Sequence, residues 1–192
     1  MARRNVPFIP GYYYHIYNRG AHRQEIFRTD ADYRFLLKLL REQSQALNIS
    51  IIAYCLLPNH YHFLARQNGE ATISHFMQAV FNVYSKSFNA KHKHSGTLFE
   101  GPFKVIWVDK TDYLLHLCRY IHQNPLNAGL VSHPENWEYS NYLEFVGKRA
   151  GMLVDMEFVD ENFGIATDYE QFVMDYTPPE KTEKILRHYL FW

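Results

Sequence analysis

The sequence predicts an α+β fold in which helices pack on an antiparallel sheet, of ferredoxin-like type. Three observations carry this. Two apolar, β-branched runs, Ile49 to Leu57 and His60 to Arg66, are separated only by Pro58-Asn59, which reads as a hairpin. Ile73, Phe76, Met77, Val80, Phe81, Tyr84 and Phe88 recur at i, i+3, i+4 spacing, the buried stripe of a long helix. Strand-like and helix-like segments follow the order β-α-β-β-α-β-α, whose natural closed solution is a sheet backed by helices.

Each element has its own signal. Tyr12 to Tyr17 is aromatic and β-rich and runs into Asn18-Arg19-Gly20, a turn signal. Asp30 is the expected N-cap of a helix reaching about Leu47, with Tyr33, Leu36, Leu37, Leu40 and Leu47 on its buried face. The long helix should span Thr72 to about Lys91 and lead into a polar loop, Lys91 to Gly96. Phe103 to Val108 reads as the last strand. Thr111 should cap a helix carrying Leu114, Leu115, Cys118, Tyr120 and Ile121. Pro125 should stop it, because proline disfavours helical geometry at the residue before it.

Past residue 130 the composition changes. Trp137, Tyr139, Tyr142 and Phe145 should pack a short helix back on the body. Asp155 is a candidate cap for a helix ending at Gly164, Thr167-Asp168-Tyr169-Glu170 has a capping-box pattern, and Pro178-Pro179 should open a last helix. Residues 1–130 are thus expected to form the main domain, and residues 131–192 a helical extension packed on it.

Composition narrows the class. At 47% hydrophobic and 17% aromatic, the chain has ample material for a core. Lys+Arg and Asp+Glu balance at 20 each, but unevenly along the chain. Residues 1–110 carry 14 basic against 7 acidic side chains, and residues 151–192 carry 3 against 9. A basic body with an acidic tail fits polyanion binding, and equally a solvated surface with an acidic helical tail. Cys55 and Cys118 both lie among apolar residues, as expected of reduced, buried thiols. Met1-Ala2-Arg3-Arg4 is followed by no apolar signal core, and no run approaches a membrane span. A soluble, cytoplasmic protein is expected.

The chemistry centres on His60-Tyr61-His62. Residues two apart on a strand share a face, so both imidazoles project together. Two neutral imidazoles on a rigid strand suit a divalent metal, and they equally suit two core-edge histidines with ordinary hydrogen bonds. Eleven histidines in 192 residues make one such pair close to a chance event. A second pair, His92/His94, lies among lysines and reads as a solvated basic turn. Downstream, Tyr120 and Asn124 are four apart and share a helix face, with Tyr120 alone readable as a core-edge aromatic. Two imidazole nitrogens with an amide oxygen and no thiolate favour Mg²⁺ or Mn²⁺ over a structural zinc.

His60-Tyr61-His62 with the run from Tyr120 through His122, Gln123, Asn124, Pro125 and Asn127 to Val131 resembles the single-tyrosine transposases of the His-hydrophobic-His superfamily. The closer resemblance is to REP-associated tyrosine transposases, relatives of the insertion-sequence 200/605 enzymes. Tyr14 to Gly20, Leu57 to His62, Gly96 to Lys104 and Trp137 to Tyr142 agree with it in order.

The resemblance implies the RRM-like form of the ferredoxin fold and cleavage of single-stranded DNA beside hairpin (REP-like) elements. It implies His60 and His62 as metal ligands with Asn124 as third, and Tyr120 as the nucleophile, leaving a 5′-phosphotyrosine and a free 3′-hydroxyl. Arg19, Arg23 and Lys104 are candidate DNA contacts, and Tyr12 and Tyr13 are candidates for base stacking or sheet packing. A monomer is favoured by the large C-terminal part, although such relatives can exchange the tyrosine helix between subunits. The alternatives are a replication-initiator or relaxase-type nicking enzyme, and a non-catalytic nucleic-acid-binding relative.

Overall fold

The structure is a computed structural model that describes residues 6–108, 111–151, 153–163 and 166–175. Four strands form one sheet: β1 (Tyr13–Arg19), β2 (Ile49–Leu57), β3 (His60–Gln67) and β4 (Lys104–Val108). Their order is β2-β3-β1-β4, antiparallel at every pairing. With α1 (Asp30–Ala46) and α2 (Ile73–His92), this is the ferredoxin-like arrangement.

The two-residue period of the strands sorts the sheet into two faces. Tyr14, Ile16, Tyr61, Phe63 and Ala65 join Leu36, Leu40, Phe76, Val80 and Tyr84 in a core beneath α1 and α2. Leu57, Cys55, Ala53 and Leu64 face the other way, toward α3 (Thr111–Asn127) and the short helices α4 (Tyr142–Phe145), α5 (Met156–Phe163) and α6 (Ala166–Met174). Both cysteines are buried free thiols in this second core. Among the described residues, no helix is long and apolar enough to cross a membrane.

Several local expectations need correction. The first strand continues through Asn18 and Arg19, because Arg19 pairs with His60 across the β1–β3 ladder. The cap of α1 is Thr29, with Asp30 the first helical residue. The Asp32 carboxylate decides this by accepting from the backbone N–H groups of Arg28 and Thr29 and from the Thr29 hydroxyl. Lys91 and His92, at the end of α2, bind the same carboxylate, so His92 lies in a helix-to-helix clamp. His94 bridges Asn89 and Gln24. The second histidine pair is therefore structural and does not form a solvated turn. α6 already begins at Ala166, so the Thr167–Glu170 pattern lies inside it. Asp155 does cap α5, accepting from the Phe158 N–H. The expected helix after Pro178-Pro179 lies outside the described residues.

Pro125 does not stop α3, which runs on to Asn127. Proline has no N–H to offer the carbonyl four residues back, here that of Ile121. The Asn124 side chain repairs the gap by donating Nδ2 to the Tyr120 carbonyl at 2.9 Å and to that of Ile121 at 3.4 Å. The helix is closed instead two residues beyond Asn127 by Gly129, whose positive φ lets Leu130 N–H reach the Pro125 carbonyl in a Schellman closure. Asn124 consequently stays in helical register with Tyr120.

α3 is fastened on both sides. Arg119 donates to the Phe172 carbonyl and Gln123 to that of Val173, both in α6. His122, fully buried, meets the Tyr169 hydroxyl at Nδ1 (2.6 Å) and Asn141 Oδ1 at Nε2 (2.9 Å). Asn141 Oδ1 also accepts the Tyr54 N–H while Nδ2 donates to the Ile52 carbonyl. His122 therefore carries its proton on Nε2 and accepts from Tyr169.

This buried, neutral ring makes stability acid-sensitive. Burial pushes the His122 pKa down to about 4 from 6.5. A depressed folded-state value means the unfolded chain takes up the proton first. The contribution is full above about pH 6.5 and is lost as pH falls toward 4, roughly 3 kcal/mol in all. Asp32 adds a second loss at lower pH. Burial alone would raise its pKa, but hydrogen bonds from Lys91, His92 and the Arg28 and Thr29 N–H groups hold it well below the usual carboxylate range. Thermal melts from pH 7.5 to 4 should show the first loss, and carrying them on to about pH 2 should show the second. A flat melting temperature down to pH 4 contradicts this.

Candidate active site

Register builds the site. On the face toward α3, His60 lies opposite Arg19 and Leu57, and His62 opposite Tyr17 and Cys55. Lys104 lies opposite Tyr17 on the far side of β1. The histidine pair and two of the proposed DNA contacts thus share one face. A cleft of about 170 Å³ opens there, lined by Tyr17, Arg19, Arg23, His60, His62 and Lys104 among others. Arg19 is not idle in it, since its guanidinium is bound to Glu100 by two contacts of 2.5 and 2.8 Å. Arg23 stands in a turn with positive φ at both His22 and Arg23, a conformation costly for non-glycine residues and frequent beside functional sites.

α3 brings Tyr120 against this face. Its ring stands edge-on to His62, with centroids 5.7 Å apart and planes at 89°. The side chain is 5% exposed, and its hydroxyl donates to Asn124 Oδ1 at 3.0 Å. Burial raises the hydroxyl pKa well above 10, only partly offset by Asn124, so the group is a protonated phenol here. Tyr120 lies behind His62 and does not line the open cleft; Tyr17 does. Tyr12 sits edge-on to Trp107 and Tyr13 packs beneath Arg66, at the opposite end of β1 from His60.

The histidines suit a divalent cation. His60 Nδ1 is held by Asn59 Oδ1 at 2.7 Å and His62 Nδ1 by His15 Nε2 at 3.1 Å, leaving Nε2 of each as the available ligand atom. Burial pushes the His60 pKa down to about 4, with Arg19 adding to it, and that of His62 well below 6.5. Both are therefore neutral at physiological pH, as ligation requires. Asn124 Oδ1 accepts from Tyr120 and keeps a second lone pair. A different group, His133, Glu135 and Glu170, lies between the 134–136 turn and α6. There the Lys148 ammonium approaches Glu135 at 2.5 Å and Glu170 at 4.0 Å, so one protein cation already stands between those carboxylates.

Sequence reasoning missed His15, Tyr17, Asn59 and Glu100. The first two had a legible signal, because His15, Tyr17 and Arg19 alternate along β1 and must share a face.

Residues 9–124 match the family model described as Transposase IS200 like, and the chain belongs to that family of DNA transposases. Among solved structures, one of a REP-associated tyrosine transposase bound to a REP hairpin superposes with a TM-score of 0.63 at 20% identity. It covers 81% of this chain and 94% of that one. A proposed transposase from Deinococcus radiodurans also matches, at 16% identity and a TM-score of 0.44, over 63% of this chain and 96% of that one. No curated protein matches the chain.

Proposed function

We propose that the chain is a metal-dependent single-strand DNA endonuclease and strand transferase acting beside DNA hairpins. Tyr120 is its nucleophile, and His60, His62 and Asn124 are its ligands for Mg²⁺ or Mn²⁺. One observation carries the reading. Two neutral imidazoles on one strand each have Nδ1 already engaged, and one of them, His62, adjoins the ring of a tyrosine whose hydroxyl rests on the third candidate ligand. A bound divalent cation would neutralise charge on the scissile phosphate.

The chain's own residues do the rest. Lys104, Arg23 and Arg19 line the cleft and would hold backbone phosphates, Arg19 at the cost of its pairing with Glu100. Tyr120 leaves Asn124 Oδ1, gives up its proton to water and attacks phosphorus. The P–O3′ bond breaks, the 3′-oxygen takes up a proton, and the downstream strand remains on Tyr120 through its 5′-phosphate. The phosphotyrosine ester retains the bond energy, so a 3′-hydroxyl can reverse the step without a nucleotide cofactor. The bonds from α6 to Arg119, His122 and Gln123 favour a tyrosine helix that serves its own sheet, and hence a monomer. The hairpin in the structurally similar REP-associated enzyme supports the same class of DNA.

The test is incubation with Mn²⁺ and single-stranded DNA carrying a hairpin, labelled at one end or the other, on a denaturing gel. A protein-sized band should retain the 3′ label and release the 5′ label. Retention of the 5′ label, or cleavage without any covalent band, overturns the mechanism.

A further inference from the structure

His15 takes no part in the proposed reaction, yet it is hydrogen-bonded directly to a proposed ligand. It stands on β1, 1% exposed, and its Nε2 lies 3.1 Å from His62 Nδ1 across the ladder. Its other nitrogen, Nδ1, is buried and has no hydrogen-bond partner among the described residues. A histidine that can satisfy only one nitrogen in a fully packed sheet is an expensive choice, since burying an unsatisfied polar atom costs about 1–3 kcal/mol. The three rings also lie nearly parallel. His15 and His62 are inclined by 20°, Tyr17 and His62 by 20°, and His15 and Tyr17 by 30°. The His62 plane is thereby fixed from two sides.

We propose that His15 is a positioning residue whose Nε2 accepts a proton from His62 Nδ1, fixing His62 in the tautomer that presents a bare Nε2 to a cation. One proton is shared between the two facing nitrogens. If His62 carries it, its Nε2 has a free lone pair and can ligate. If His15 carries it, His62 must hold its own proton on Nε2 and cannot. Hydrogen-bonded partners behind metal-ligating histidines are worth about 10–100-fold in metal affinity. Asn59 Oδ1 does the same for His60, since a side-chain carbonyl facing Nδ1 can only accept. On this reading both ligands are tautomer-locked from behind, one by the preceding residue and one from the neighbouring strand.

The inference rests on the proposed metal site, and the experiment separates the two. Mn²⁺ binding is measured by electron paramagnetic resonance for the full chain, His15→Phe and His15→Gln. Phe keeps the ring and volume without an acceptor. Gln places an amide oxygen close to where Nε2 stood. The dissociation constant should rise about 10–100-fold in His15→Phe and return to within about threefold of the parent in His15→Gln. No Mn²⁺ binding by the parent chain overturns the metal site itself. Parent-like binding by His15→Phe, or equally weak binding by both variants, overturns the role of His15 alone. Should His15→Phe fail to fold, long-range ¹H–¹⁵N spectra of the unaltered chain with Mg²⁺ decide. His62 should appear protonated at Nδ1, and protonation at Nε2 overturns the proposal.

Discussion

Tyr120→Phe should abolish the covalent DNA adduct and slow strand cleavage by at least about 10⁴-fold, the scale seen when a nucleophile is removed from a catalytic unit. The loss should be purely chemical. The phenylalanine ring keeps its edge-on contact with His62, and only the hydrogen bond to Asn124 disappears. Stability should change by no more than about 1 kcal/mol, and Mn²⁺ affinity should hold or improve slightly, because Asn124 Oδ1 loses a competing donor. Single-turnover cleavage assays and metal titration of the same variant check both halves. A variant that still forms the adduct would transfer the role to another hydroxyl. Tyr17 is the first candidate, since it lines the cleft and stacks on His62.

The largest effect on stability should come from Asn141→Ala, far from any DNA contact. The Asn141 amide is fully buried and serves three groups: the Ile52 carbonyl, the Tyr54 N–H and His122 Nε2. Ile52 lies within the shift in register between Ile51 and Ala53 of β2, where the ladder to β3 is interrupted, and Tyr54 follows just after it. The third anchors α3. Alanine leaves all three without a partner in a dry interior, at a cost of about 3–5 kcal/mol. For a chain of this size that lowers the melting temperature by about 10 °C. Cleavage should also fall below what the unfolded fraction explains, because the helix that carries Tyr120 loses one fastening. A melting temperature within about 2 °C of the parent contradicts this account.

How much of this was legible beforehand depended on whether a signal was local. The hairpin at Pro58-Asn59 and the stripe from Ile73 to Phe88 are short-range patterns, and the strands and helix formed where they pointed. The true cap at Thr29 has a local signal in the Thr29-x-x-Asp32 capping box, and only the hold of Lys91 and His92 on Asp32, from about sixty residues away, was not legible. Nor was the passage of α3 through Pro125. A proline ends a helix only if nothing else satisfies the freed carbonyl, and the neighbouring asparagine amide does so. That repair keeps Tyr120 and Asn124 on one face.

The site was half legible for the same reason. His60 and His62 announce themselves as a pair on a strand, but His15 becomes relevant only once β1 is placed beside β3 in a definite register. Arg19, Arg23 and Lys104 were singled out individually, and pairing brings them to one cleft. The engagement of Arg19 by Glu100 is a contact between residues eighty-one apart that no spacing rule contains.

The proposed chemistry turns on which atom becomes joined to DNA. The adduct formed with Mn²⁺ and hairpin-bearing single-stranded DNA should be digested with nuclease and protease, and its nucleotide-bearing peptide sequenced by mass spectrometry. A single modified residue is expected, Tyr120, linked through its phenolic oxygen to a 5′-phosphate. A nucleotide on Tyr17 or on any other side chain, or a 3′-phosphate linkage on Tyr120, contradicts it.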